Sequence, residues 1–151
     1  METLPIQSAQ EGEHPARPLA VQLAKWADER KAENIRLYEV QGLCSYADFI
    51  LIASGTSERH VQALREFLRR QSKKSGHKVL GSEGQSAGQW LLMDYGDIVV
   101  HLFFEPVREY YDLDRLWSEA PRIPLEFHSN HLTSLGDDDF DDDYDDEDED
   151  E

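Results

Sequence analysis

GQWLLMDYGDIVVHLFFEPVREYY, residues 88–111, sets two apolar runs on either side of Asp94-Tyr95-Gly96-Asp97. That tetrad has the composition of a tight turn, because Gly96 can adopt the positive φ that hairpin turns demand. In the first run, alternation puts Trp90, Leu92 and Asp94 on one face and Leu91, Met93 and Tyr95 on the other. The second run, residues 98–104, is apolar at every position except His101. A strand of that kind needs cover above and below.

Working outward, Phe49-Ile50-Leu51-Ile52-Ala53 is a second buried strand, closed by Ser54-Gly55. Ile35, Leu37 and Glu39 alternate weakly with Arg36, Tyr38 and Val40, which predicts a fourth strand ending before Gly42. Lys78-Val79-Leu80 predicts a short fifth strand, and residues 81–88, with three glycines and two serines, read as a loop. Pro18, then Leu19, Leu23 and Trp26 at helical spacing, predict a first helix ending near Lys31. Thr56 or Ser57 caps a second helix whose inner face is Val61, Leu64 and Leu68 and whose stop is Gly76. Glu105-Pro106 opens a short helical segment, extended by Leu113, Leu116 and Trp117. The fold class is α/β: a mixed sheet of about five strands, two main helices and a short C-terminal helix. Two helices cover one face of such a sheet. The apolar surface around Trp90 on the other face is therefore expected to meet a partner protein.

The charge is uneven along the chain. Residues 137–151 hold thirteen of the thirty-two Asp and Glu, so the net charge of −17 falls to −4 without them (−17 + 13 = −4). Residues 1–17 read as a disordered N-terminal arm, 18–121 as the domain, 122–136 as a linker and 137–151 as a disordered acidic tail. The lone cysteine, Cys44, excludes an intramolecular disulfide. No apolar run is long enough to span a membrane, and the N-terminus lacks the apolar core of a secretory signal. The expected location is the cytoplasm.

Catalytic chemistry finds little support. Ser54-Gly55-Thr56-Ser57 lies where phosphate loops lie, but it lacks their lysine and glycine spacing, so it reads as a helix cap. Asp48, Asp94 and Asp97 read as strand-end and turn residues, since their spacing reveals no convergence on a metal. His101, among Val, Leu and Phe, reads as a buried neutral histidine with one hydrogen-bond partner. The outer face of the second helix is basic through Arg65, Arg69, Arg70, Lys73 and Lys74. Few aromatics interleave with these cations, so RNA contact is at most peripheral. The aromatic group Trp90, Tyr95, Tyr110 and Tyr111 is the stronger signal, because Tyr and Trp concentrate binding energy at interfaces.

Three segments carry a resemblance: YADFILIASGTSERHVQAL (46–64), EGQSAGQWLLMDYGDIVVHLF (83–103) and EPVREYYDLDRLW (105–117). With the first helix they span about residues 18–118, and the chain resembles the ribosomal silencing factor family, also called RsfS or Iojap. The resemblance implies a nucleotidyltransferase-like fold without enzymatic activity or cofactor. It also implies binding to the large ribosomal subunit through large-subunit ribosomal protein fourteen, a steric block to small-subunit joining, repression of translation under nutrient limitation, and dimers. By motif it nominates Trp90, Leu92, Asp94 and Tyr95 for partner binding, with Glu83, Glu105, Tyr110 and Tyr111. The alternatives are a nucleotidyltransferase-like enzyme and another protein-interaction module. Nucleotidyltransferases place two alternating acids on a strand, whereas Asp48 is followed by Phe49 and Ile50. The acidic run from Asp137 lies outside the resemblance.

Overall fold

The computed structural model of the chain describes residues 14–84 and 88–127. The elements are α1 (Arg17–Glu29), β1 (Glu33–Glu39), β2 (Phe49–Gly55), α2 (Glu58–Lys74), β3 (Gly81–Glu83), β4 (Trp90–Asp94), β5 (Ile98–Phe104), α3 (Glu105–Tyr111) and α4 (Leu113–Leu116). They form a five-stranded sheet ordered β1-β2-β5-β4-β3. The central pair β2–β5 is parallel and the other pairs are antiparallel. No helix among the described residues is long and apolar enough to cross a membrane.

The β4–β5 hairpin closes as its turn residues predict. Gly96 has φ +95°, Tyr95 N donates to Ile98 O at 2.8 Å, and the Asp94 carboxylate accepts from Gly96 N at 2.8 Å. Ser57 caps α2, its hydroxyl accepting from His60 N at 3.0 Å, and Gly76 follows the helix end at φ +91°.

Every residue of β2 is buried, and so is every residue of β5 but the last. On one face Phe49, Leu51, Val100 and Leu102 pack with Leu91 and Met93 under α1 and α2. On the other, Ile50, Ile52, Val99 and Phe103 pack under Val107, Leu113, Trp117 and Ala120. Burying each large apolar side chain contributes about 1.5–3 kcal/mol, so both layers are needed to hold the central strands.

This second layer corrects the expectation of one bare sheet face. α3, α4 and the turn after them cover β1, β2 and β5, although each is short. The open remainder is narrower and lies over β4 and β3, where Trp90 and Leu92 are half-buried and Glu83 is exposed.

Two further expectations shift. The short strand expected at 78–80 is instead β3, Gly81–Glu83, because its backbone pairs with Leu92–Asp94. Leu80 contributes a single bond to Asp94 O and leaves its own side chain 70% exposed. The fold also reaches past both expected borders. His14 bonds Asp48 at 2.7 Å ahead of α1. At the other end Pro121 O accepts from Glu39 N, Ile123 N donates to Leu37 O, and Leu125 and Phe127 pack on the core. The first thirteen residues and the acidic run 137–151 lie outside the described residues.

Gly55 ends β2 where α2 begins. A Cβ there would stand 2.8 Å from Val61 Cγ2 and 3.0 Å from Val61 N. Gly55→Ala is expected to cost roughly 1–3 kcal/mol of stability through overpacking against the backbone of α2. Chemical denaturation of the two chains measures it.

Candidate functional site

The open strip over β4 is built around Trp90. Its register partner across the hairpin is Phe103, and their rings stack with centroids 4.8 Å apart. From the far side Tyr111 of α3 lies 4.8 Å from Trp90, and Tyr110 meets Tyr111 edge-on at 5.0 Å. Tyr110 is 81% exposed and Tyr111 52% exposed. Such ring pairs add about 0.5–1.5 kcal/mol each beyond their buried area. The cluster is therefore anchored beneath and open above.

Trp90 is oriented by a hydrogen bond from its indole Nε1 to His101 Nδ1 at 3.1 Å. That bond requires His101 Nδ1 to be unprotonated. Burial holds it so: the His101 pKa is lowered from 6.5 to about 4. The buried histidine with one hydrogen-bond partner, expected from the sequence, is found here, and its burial favours the neutral form.

A polar rim borders the cluster. Leu92 lies opposite His101 on the same face, and Glu83 pairs with Leu92 from β3. Asp94 shares that face at the end of β4, with Asp97 exposed across the turn. The structure thus gathers Trp90, Leu92, Asp94, Glu83, Tyr110 and Tyr111 on one side of the sheet.

Two nominated residues lie elsewhere. Tyr95 sits on the opposite face, packed on the core under α2, and its hydroxyl shares a 2.8 Å hydrogen bond with Ser72. The alternation read from the sequence already separates it from Trp90, and the motif carries it only by adjacency. Glu105 lines a separate recess of about 280 Å³ with Asn34, Arg36, Arg108 and Asp114.

That recess holds a residue sequence reasoning missed. Arg108, 6% exposed, makes two bonds to the Asp114 carboxylate at 2.9 and 3.0 Å. It also donates to Asn34 O at 2.6 Å and to Ser54 Oγ at 2.7 Å. Burial alone would raise the Asp114 carboxyl, but the Arg108 hydrogen bonds and charge outweigh it and leave the pKa lowered. The guanidinium pins α3 and α4 to the ends of β1 and β2, and so holds Tyr110 and Tyr111 over Trp90. No periodicity marks an arginine among tyrosines and acids as buried.

The enzyme alternative meets a geometric obstacle. Ser54-Gly55 and Asp48 lie at opposite ends of β2, about 20 Å apart along an extended strand. They cannot act on one reacting centre. Asp48 does approach Asp97, contrary to the reading from spacing: with His14 their ligand atoms all lie within 4.8 Å of one another. Asp94 is not among them, being turned to cap Gly96.

A family model described as "Ribosomal silencing factor during starvation" matches residues 13–150. This chain belongs to the RsfS family. Ribosomal silencing factor RsfS of Bacillus subtilis is 38% identical over 103 residues, covering 68% of this chain and 87% of the relative. A crystal structure from Bacillus halodurans matches with a TM-score of 0.63 at 36% identity, covering 72% of this chain and 99% of that one. A mouse relative, named mitochondrial assembly of ribosomal large subunit protein 1, is 33% identical over 93 residues, which cover 60% of this chain and 41% of the relative.

The two inward histidines give this RsfS-family chain a defined acid sensitivity. His60 is shifted in the same direction as His101, again chiefly by burial. Between pH 6.5 and about 4 the unfolded chain takes up protons that folded His101 refuses, so stability falls as pH falls through that window. For His101 the loss approaches about 3 kcal/mol at its lower end. His101→Gln keeps an acceptor for Trp90 without the titration, and denaturant midpoints across that window are expected to fall less steeply. Arg108→Ala is expected to destabilise the chain by about 3 kcal/mol, because it strands the Asp114 carboxylate.

Proposed function

We propose that this chain represses translation by occupying the intersubunit face of the large ribosomal subunit. It docks there on large-subunit ribosomal protein fourteen and blocks the small subunit sterically. Membership of the RsfS family supports a ribosomal role, and the motif resemblance supports the partner. The name of the mouse relative points to the same subunit. The observation that carries the reading is the aromatic cluster Trp90, Tyr110 and Tyr111, anchored below by Phe103 and His101 and open above. Aromatic centres with polar rims are the usual anatomy of a protein interface. The carboxylates Glu83, Asp94 and Asp97 beside it suit a basic ribosomal protein. The mechanism asks for no bond making. A domain roughly 30 Å across, seated on the subunit interface, excludes the other subunit by volume.

Sedimentation of mixed ribosomal subunits tests this directly. Saturating protein is expected to shift material from joined to separate subunits. Replacing both exposed tyrosines, Tyr110→Ala with Tyr111→Ala, is expected to weaken large-subunit binding about tenfold or more, as for anchors worth 1–2 kcal/mol. Tyr95→Phe, on the other face, is expected to leave binding unchanged. A subunit profile indifferent to the wild-type chain would sink the proposal.

A further inference from the structure

The charges of this chain are segregated. Residues 59–78 hold seven of its fifteen Lys and Arg, with Glu66 as the sole carboxylate among them. Residues 137–151 hold thirteen carboxylates and no cation. We propose that the acidic stretch Asp137–Glu151 docks on the basic end of α2 in the same chain, and thereby competes with nucleic-acid phosphates for that surface.

Glu66 is already engaged by Arg69 and Arg65. Arg70, Lys73, Lys74 and Lys78 have no ion-pair partner among the described residues. The three lysines are exposed, and the Arg70 Nε is buried without a hydrogen-bond acceptor among the described residues. At 1.5 Å per helical residue Arg70, Lys73 and Lys74 span only about 6 Å, and Lys78 follows four residues after the helix end. A surface this dense in one charge concentrates the opposite charge.

The complement is close at hand. The last described residue is Phe127, packed on the core on the same side of the sheet as α2. The nine residues 128–136 extend up to about 30 Å, enough to bring Asp137 across the domain. A tether of that length holds the acidic stretch at roughly millimolar effective concentration. Single exposed ion pairs contribute at most about 1 kcal/mol, so several pairs and the tether must act together. Phe140 and Tyr144 interrupt the carboxylates. Leu80, 70% exposed, stands two residues from Lys78 and offers such aromatics an apolar contact. An RNA strand presents the same charge to α2 but without the tether, so it must displace the chain's own tail.

Zero-length carbodiimide crosslinking of the full chain, read by mass spectrometry, tests the contact. At about 50 mM salt the acidic stretch is expected to join Lys73, Lys74 and Lys78, and to lose those links near 0.5 M as screening shortens to a few ångströms. Equal linkage to Lys25 and Lys31 would overturn the proposal. A second arm measures binding of a single-stranded RNA oligonucleotide. Ending the chain at Gly136 removes no described residue and is expected to tighten RNA binding roughly tenfold or more at low salt. In the chain carrying Arg70→Glu, Lys73→Glu and Lys74→Glu, the same truncation is expected to bring little gain. An equal gain there would assign the effect to general repulsion and overturn the docking. Unchanged RNA affinity on truncation would overturn it too.

Discussion

The parallel pairing of β2 with β5 governs what surrounds it. Neither strand has a polar face, so the sheet requires an apolar layer on each side. α1 and α2 form one layer with ordinary amphipathic helices. The other layer is assembled from pieces too short to be stable alone: seven residues of α3, four of α4 and the turn around Trp117. Arg108 resolves that weakness. One guanidinium ties α3 to α4 through Asp114 and both to the ends of β1 and β2. The burial of a charge, costly in itself, is offset by four hydrogen bonds, two of them to the Asp114 carboxylate.

The incomplete second layer has a functional counterpart. It stops short of β4, so the strip beside its edge retains half-buried apolar side chains. Tyr111 belongs to the covering layer and to the strip at once, since it packs on Trp90 while half of its surface faces outward. The candidate docking surface is thus continuous with the core, and the Arg108 contacts that complete the fold also position it.

Much of this architecture was legible in the sequence where one local rule dominated. The β4–β5 hairpin followed from Gly96 between two apolar runs, the α2 start from the capping pair Thr56-Ser57, and the burial of His101 from its apolar neighbours. Signals failed where long-range pairing decides. Gly81–Glu83 has loop composition, yet the backbone of β4 recruits it as a strand. Arg108 looks like a surface residue until Asn34, Ser54 and Asp114 converge on it. His14 and Asp97 reach Asp48 from distant parts of the chain, which spacing cannot show. For the candidate site, alternation separates Trp90 from Tyr95 as the structure does, whereas the aromatic grouping and the family motif both join them.

The segment Pro121–Ile123 lies along the outer side of β1, matching Tyr38 with Arg122. A sheet border left bare is a template for strand addition and aggregation. Here the border strand on one side is only three residues long, and the other is sealed over Leu37–Glu39. Pro121 and Pro124 flank the seal, and neither can donate an amide hydrogen to an incoming strand. Both sheet borders therefore discourage self-association into fibres, which leaves the aromatic strip over β4 as the surface open to the proposed docking.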